Sequence, residues 1–263
     1  MIHPAVAPGE SESLTTQSNR EFYDALWSGS RVMAPERFNT WPLVKSLLES
    51  SPCRLEVAPG LRPRLPIEGT HFIDMSAPAV EKLRARGANV AVGLIGSLPF
   101  PDRSFNLVAA FDIIEHVDDD NAALAELSRV AAHQSVLLLS APLHPERWTS
   151  VDDLVGHCRR YEPDVLLGKL SSYGWSVESS AIFGMQPRSS RLLDFAVSQL
   201  KHHRMRAIWW YDRVILPLAA RFQNKLEFTN DMLPTDDVDE ILFVCRRNGA
   251  VAGPDSNHCA LKS

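Results

Sequence analysis

The stretch VGLIGSLPFPDRSFNLVAAFDIIEHVDDD, residues 92–120, holds the reading on which the fold turns. Its centre, Phe105–Phe111, is a short apolar run bounded by Pro101-Asp102 on one side and Asp112 on the other. A run of that length between turn formers reads as a buried strand, and an acid at its end reads as a residue at the mouth of a sheet. Working outward, similar strand-like runs fall at Arg54–Ala58, His71–Asp74, Asn89–Gly93 and Ser135–Ser140, with helical patterns at Ala77–Arg86 and Asp119–Ala132. Strand and helix signals that alternate in this way predict βαβ units and a parallel sheet covered on both faces.

The flanks complete the plan. Thr40 reads as the N-cap of a helix over 40–50, with Pro42 in its first turn. Residues 174–184 and 239–248 read as two further strands that pair as a hairpin-like edge, with a helical insertion at 188–228 between them that is expected to act as a lid over the acceptor pocket. Residues 1–19, rich in Ser, Thr and Pro, are expected to be a disordered tail, and 249–263 a flexible one. That leaves one domain over 20–248. The 263 residues are 45% apolar with a net charge of −5, which suits one large globular domain and argues against a generally basic nucleic-acid binder.

Cys53, Cys158, Cys245 and Cys259 have no metal-type spacing and suggest neither a metal site nor a disulfide framework. The N-terminus lacks a basic start followed by an apolar core, and no stretch reaches the roughly 18 apolar residues of a membrane span. The nearest candidate, 208–222, is broken by Asp212, Arg213 and Pro217. A cytoplasmic protein is expected, at most touching a membrane surface through KHHRMR (201–206) and the adjoining Trp209, Trp210 and Tyr211.

Ligands of open α/β sheets bind outside the carboxyl ends of the strands. The first strand ends in Glu56-Val57-Ala58-Pro59-Gly60, a turn in which Gly60 fits a nucleotide-cofactor site and Ala58 stands where glycine is usual. The second ends at Asp74, closer to Gly60 than the roughly 20 residues of a dinucleotide-binding unit. Its carboxylate reads equally as the acceptor of two ribose hydroxyls or as the cap of the helix starting near Ala77. The proline-rich LRPRLP (61–66) does not supply the helix start a nicotinamide enzyme needs.

Taken in order, Glu56–Gly60, Asp74, Leu98-Pro99-Phe100, Phe105–Phe111 and Glu115-His116-Val117 resemble the class I S-adenosylmethionine-dependent methyltransferases, in particular the type 11-like group with small-molecule members. The resemblance covers roughly residues 50–185. It implies a Rossmann-like, doubly wound, mostly parallel seven-stranded sheet, with the helical insertion before the last strand.

It also implies S-adenosylmethionine as cofactor and a role for each matching residue. Glu56, Ala58 and Gly60 would approach its methionine part, Asp74 its ribose, and Met75 its adenine. Leu94, Ile95 and Gly96 would line the adenine edge, while Phe111 and Asp112 would face the cofactor from the fourth strand. Ala58, Arg62 (where a third glycine would fall) and Leu94 (where the family often has an acid) depart from the pattern and predict weaker cofactor binding. A protein that keeps the fold without the activity is the alternative.

A nucleic-acid methyltransferase of the family would carry an Asn/Asp-Pro-Pro-aromatic loop where this chain has FDIIEH (111–116), so a small-molecule or lipid- or glycan-linked acceptor is expected. Some relatives encoded with cell-surface glycan genes have a segment like GHCRRY (156–161). His116 and His157 are candidate bases, and His144, Arg160 and Tyr161 candidate acceptor-pocket residues. Each has a plainer reading as well: His116 at a helix start, His157 and Tyr161 in loop structure, and Arg159 or Arg160 paired with Asp152, Asp153 or Glu162.

Overall fold

A computed structural model describes residues 13–184, 198 and 204–248. Its strands are β1 (Arg54–Val57), β2 (Thr70–Asp74), β3 (Asn89–Val92), β4 (Phe105–Phe111), β5 (Ala131–Pro142), β6 (Trp175–Ile182), β7 (Thr229–Asn230) and β8 (Glu240–Arg247). They form one sheet in the order β3-β2-β1-β4-β5-β8-β6-β7. β1 to β5 run parallel, with Glu56 level with Phe72 and Ala109. β8 lies antiparallel between β5 and β6. The two late strands pair as the sequence predicts, but β8 is internal. The sheet edge is the two-residue β7, an eighth strand beyond the seven expected.

Alternation along the strands sorts side chains between two layers. Val108, Ala110, Leu137 and Leu139 pack with Leu124 and Leu127 of α4 (Asp120–Val130) and with Leu166 and Leu170 of α6 (Pro163–Ser172). Leu107, Ala109, Leu138 and Leu242 face the other way, onto Val44 of α2 (Trp41–Leu47). Thr40 caps α2 as read, although its side chain makes no capping hydrogen bond. On that same side Phe72 meets Ala79, Val80 and Leu83 of α3 (Ala77–Arg84) and Trp27 of α1 (Leu14–Gly29). Strands buried on both faces explain why the chain reads as near-continuous apolar runs.

α1 corrects the sequence reading of a tail over 1–19. Ser13 caps the helix by accepting the Thr16 N–H, and residues 14–19 form its first turns. Three contacts lay α1 across the carboxyl end of β2. Arg20 donates to the Met75 carbonyl at 2.7 Å, Ser76 donates to Asp24 at 2.6 Å, and the Lys82 ammonium takes the carbonyls of Trp27, Ser28 and Ser30 at 2.7–2.8 Å. A cation on the last carbonyls of a helix satisfies orphan acceptors and complements the helix dipole.

After β6 the described part of the insertion comprises α7 (Arg204–Trp210), a π turn (Tyr211–Ile215) and α8 (Leu216–Arg221). It packs by Leu216 on Met33 and Phe38, near the exit of α1. Residues 188–197 and 199–203 of the expected insertion, and both outer tails (1–12 and 249–263), lie outside the described residues. Cys53 is disulfide-bonded, contrary to the expectation of no disulfide, while Cys158 and Cys245 are free. No helix among the described residues is long and apolar enough to cross a membrane.

Candidate active site

The order of strands reverses between β1 and β4, and the residues that leave their carboxyl ends converge there. Glu56, buried on β1, accepts the N–H groups of Arg64 (2.9 and 3.1 Å) and Leu65 (2.8 Å) and so folds the following loop back over the strand. Burial pushes its carboxyl up to about 7. Ala58 adopts φ 53° and Gly60 φ 54°, so the turn keeps a glycine-like path although its first position carries a methyl group. A Cβ at Gly60 would stand 2.3 Å from the Trp27 ring, so glycine is required there both for the left-handed backbone and for this contact.

Asp74 closes the turn from β2. One carboxylate oxygen accepts the Gly60 N–H and the other the Ser76 N–H, each at 2.8 Å. The helix cap proper is Ser76, which accepts from Ala79. A carboxylate has about four acceptor positions, so each oxygen retains one for a ligand hydroxyl. Burial pushes Asp74 up to about 6.

The loop after Gly60 brings two guanidinium groups that the sequence reading did not assign to the site. Arg62 lies between the rings of Trp27 (5.1 Å) and Tyr211 (5.0 Å), and its Nε and Nη2 are buried without a hydrogen-bond partner. Arg64 sits 3.7 Å over the Phe38 ring and 5.8 Å from Phe111 and Phe183, with its buried Nη1 unpartnered. Facing Arg64 is an acidic group formed by Asp112, at φ 49° after β4, and Glu240 at the start of β8, which share a hydrogen bond. Ser140 of β5 holds Asp112, donating at 2.5 Å to its carboxylate and accepting its N–H at 3.0 Å. Burial, reinforced by Asp112, raises the carboxyls of both Glu240 and Glu115.

These residues fit a nucleoside sulfonium with an amino-acid tail. Asp74 offers free acceptor positions to ribose hydroxyls, the unpartnered donors of Arg62 and Arg64 suit a carboxylate, and the acidic group favours a cation. Of the expected adenine edge, Ile95 is buried, Gly96 is exposed, and Leu94 is 40% exposed. Met75 is half-buried.

The loop after β5 is drawn onto the end of β4. Cys158 donates its N–H to the Glu115 carbonyl at 2.7 Å, and Leu143 bridges Tyr161. Within the loop, Thr149 and Asp152 make a capping box on α5 (Ser150–Val155), which ends on Gly156 at φ 77°. A Cβ on Gly156 would collide with Asn19 of α1, whose amide donates to the Gly156 and His116 carbonyls.

Buried Asp152 then takes Arg160 through Nε and Nη2, both at 2.9 Å, and His157 through Nδ1 at 2.7 Å. As a result His157 meets His116 edge to face at 4.6 Å, and Tyr23 of α1 comes within 3.3 Å of His116 Nε2. Burial and the neighbouring His157 hold His116 down to about 3, so its imidazole is neutral near neutral pH. Burial, with Glu115 adding to it, keeps the Tyr23 phenol protonated.

The expected acceptor residues are placed differently from one another. Arg160 is engaged by Asp152 and the Leu143 carbonyl. Tyr161 is buried and donates to the Asp120 carboxylate at 2.9 Å, with the Ile114 carbonyl 3.2 Å from the same hydroxyl. His144 Nε2 meets the Thr235 carbonyl at 2.8 Å. Arg159 pairs with Asp120 at 3.0 Å. Their polar groups order the loop, while His116 and His157 are brought together.

A family model described as "Methyltransferase domain" matches residues 60–139. A probable S-adenosylmethionine-dependent methyltransferase of Mycolicibacterium smegmatis is 31% identical over 114 residues, 41% of this chain and 44% of the relative. One from Mycobacterium tuberculosis is 30% identical over 109 residues, 39% of each chain. The matches thus span less than half the length of these curated relatives.

Among solved structures, a SAM-dependent methyltransferase from Thermotoga maritima, described as a possible histamine N-methyltransferase, has a TM-score of 0.56 at 14% identity, covering 90% of this chain and 96% of its own. The YcgJ protein of Bacillus subtilis has a TM-score of 0.50 at 17% identity, covering 79% and 98%. Residues 60–139 thus match a methyltransferase domain, and the sheet that carries them has the fold of solved S-adenosylmethionine-dependent methyltransferases.

Proposed function

We propose that the protein transfers the methyl group of S-adenosylmethionine to a small-molecule or lipid- or glycan-linked acceptor, at oxygen, nitrogen or carbon. The observation that carries this reading is the position of Asp74, with one free acceptor position per oxygen, at the end of β2 inside the methyltransferase match. The cofactor supplies an activated methyl group on a sulfonium, and transfer is an in-line displacement in which positioning does much of the work. Asp74 holds the ribose hydroxyls, Arg62 and Arg64 take the carboxylate of the methionine part, and Phe111, Asp112 and Glu240 surround the cationic end. Tyr23 and Trp27 close the site from α1 and exclude water. An acceptor that must lose a proton does so beside Glu115, His116 and His157.

A lipid-linked acceptor is favoured by the segment from α7 through the π turn to the end of α8, where Trp209, Trp210, Ile215, Leu218 and Phe222 are exposed. Liposome sedimentation at low salt checks this: the reading expects binding to anionic vesicles, and absence of binding to both anionic and neutral vesicles would remove membrane contact.

Titration calorimetry with S-adenosylmethionine and with its demethylated product tests the main reading. Wild type is expected to bind both. Asp74→Ala is expected to weaken binding by about 1–3 kcal/mol, roughly 5- to 150-fold, because ribose hydroxyls lose their acceptor at a buried site. No binding by wild type would favour a protein that keeps the fold without the chemistry.

A further inference from the structure

Beside the cofactor turn, three lone-pair groups converge on one point. Glu115 lies on the 3-10 turn after β4 (Ile114–His116), fully buried, and neither carboxylate oxygen has a hydrogen-bond partner among the described residues. His116 places Nδ1 3.3 Å from the Gly156 carbonyl, which can only accept, so Nδ1 carries the proton and Nε2 keeps its lone pair. His157 donates its Nδ1–H to the Asp152 carboxylate at 2.7 Å, which leaves Nε2 as the atom turned toward Glu115. Its Nε2 then stands 3.9 Å from Glu115 Oε1. One ligand atom from each residue lies within 4.8 Å of the others.

The surroundings supply little positive charge to this point. Arg160 is committed to Asp152 and Leu143, and the Tyr23 hydroxyl, 3.3 Å from His116 Nε2, is neutral. A buried carboxylate beside two imidazoles is costly unless it keeps its proton or a cation sits among them, and a bound cation would favour the ionised form.

We propose that Glu115, His116 and His157 bind one divalent transition-metal ion through a carboxylate oxygen and two Nε2 atoms. Two histidines and one carboxylate form a ligand set used for zinc and for iron(II), with positions left open. Asp152 and the Gly156 carbonyl serve as the outer partners that orient each imidazole. Zinc–nitrogen bonds of about 2.0–2.1 Å put tetrahedral ligand atoms roughly 3.3 Å apart, so side-chain rotation has to close the 3.9 Å gap between His157 and Glu115 and bring in the remaining atoms from within 4.8 Å. A second set, His144, Glu146 and Glu162, is comparably close but carries no such site: Glu146 is mostly exposed, and His144 Nε2 is taken by Thr235. The assignment is independent of what the cofactor turn binds.

Metal-depleted full-length protein titrated with Co²⁺ tests it, since bound cobalt gives visible d–d bands. One Co²⁺ per chain is expected, displaced by one equivalent of Zn²⁺. Glu115→Gln and His157→Gln should each weaken binding at least about tenfold, with unchanged circular dichroism, and His144→Gln should bind like wild type. A second readout needs no variant: stoichiometric Zn²⁺ should move the ¹⁵N signals of both Nε2 atoms in wild type. Wild-type binding no tighter than that of the Glu115→Gln/His157→Gln double variant, or unmoved Nε2 signals, would overturn the proposal. S-adenosylmethionine binding, measured separately, reports on the methyltransferase reading alone.

Discussion

Ala58 carries a conformation its side chain resists. A left-handed backbone costs a non-glycine residue roughly 1–2 kcal/mol, and here φ is 53° immediately before Pro59. Glycine would remove that strain at the expense of a more flexible unfolded chain. Ala58→Gly is therefore expected to stabilise the protein by about 0.5–1 kcal/mol, read as a higher urea midpoint at unchanged slope. An unchanged or lower midpoint would mean that the methyl group's packing outweighs the strain. The residue type suggested a drifted turn, and the drift lies in chemistry, since the backbone path of a glycine turn is retained.

Among the elements, α5 with its following loop depends on a single carboxylate. Asp152 completes the capping box, accepts from His157 and neutralises Arg160. Those pairs hold its carboxyl well below the usual range in spite of burial. Asp152→Ala leaves the Arg160 guanidinium buried without its partner, a change that costs about 3–5 kcal/mol. Faster hydrogen exchange confined to residues 144–161 would be the accompanying sign. A variant as stable as wild type would show that Arg160 finds another acceptor.

For the molecule as a whole, buried acids link stability to pH. Folding raises Glu56 from an ordinary 4.5 to about 7, so the folded state holds this proton more tightly than the unfolded one. The resulting stabilisation is complete below about pH 4.5 and is lost as pH rises through 7, amounting to roughly 3 kcal/mol. Asp74 acts in the same sense through about 6. Glu56→Gln should flatten the fall of the urea midpoint between pH 5 and 8, and a fall as steep as that of wild type would remove Glu56 as its source.

Much of this frame was legible in the sequence, because strands buried on both faces, such as Phe105–Phe111, leave continuous apolar runs that helices punctuate. Asp74, Gly60, Asp112, His116 and His157 were legible as well, since position at a strand end or after β5 marks them. What escaped reading depends on contacts between distant segments. β7 is two residues long and carries no period. Tyr23, Trp27 and Asn19 matter only because α1 crosses the sheet end. Glu115 reads as part of a motif until the fold buries its carboxylate beside His157.

The Trp27 ring on Gly60 bears on how fast a ligand can enter. α1 is tied down by Lys82, Arg20 and Asp24, so a ligand is expected to reach the turn as the helix swings aside. Stopped-flow association of S-adenosylmethionine should then level off at high concentration, at the rate of that opening. Trp27→Ala should restore a linear dependence even where its equilibrium affinity is poorer. A linear dependence in wild type would mean that the entrance stands open.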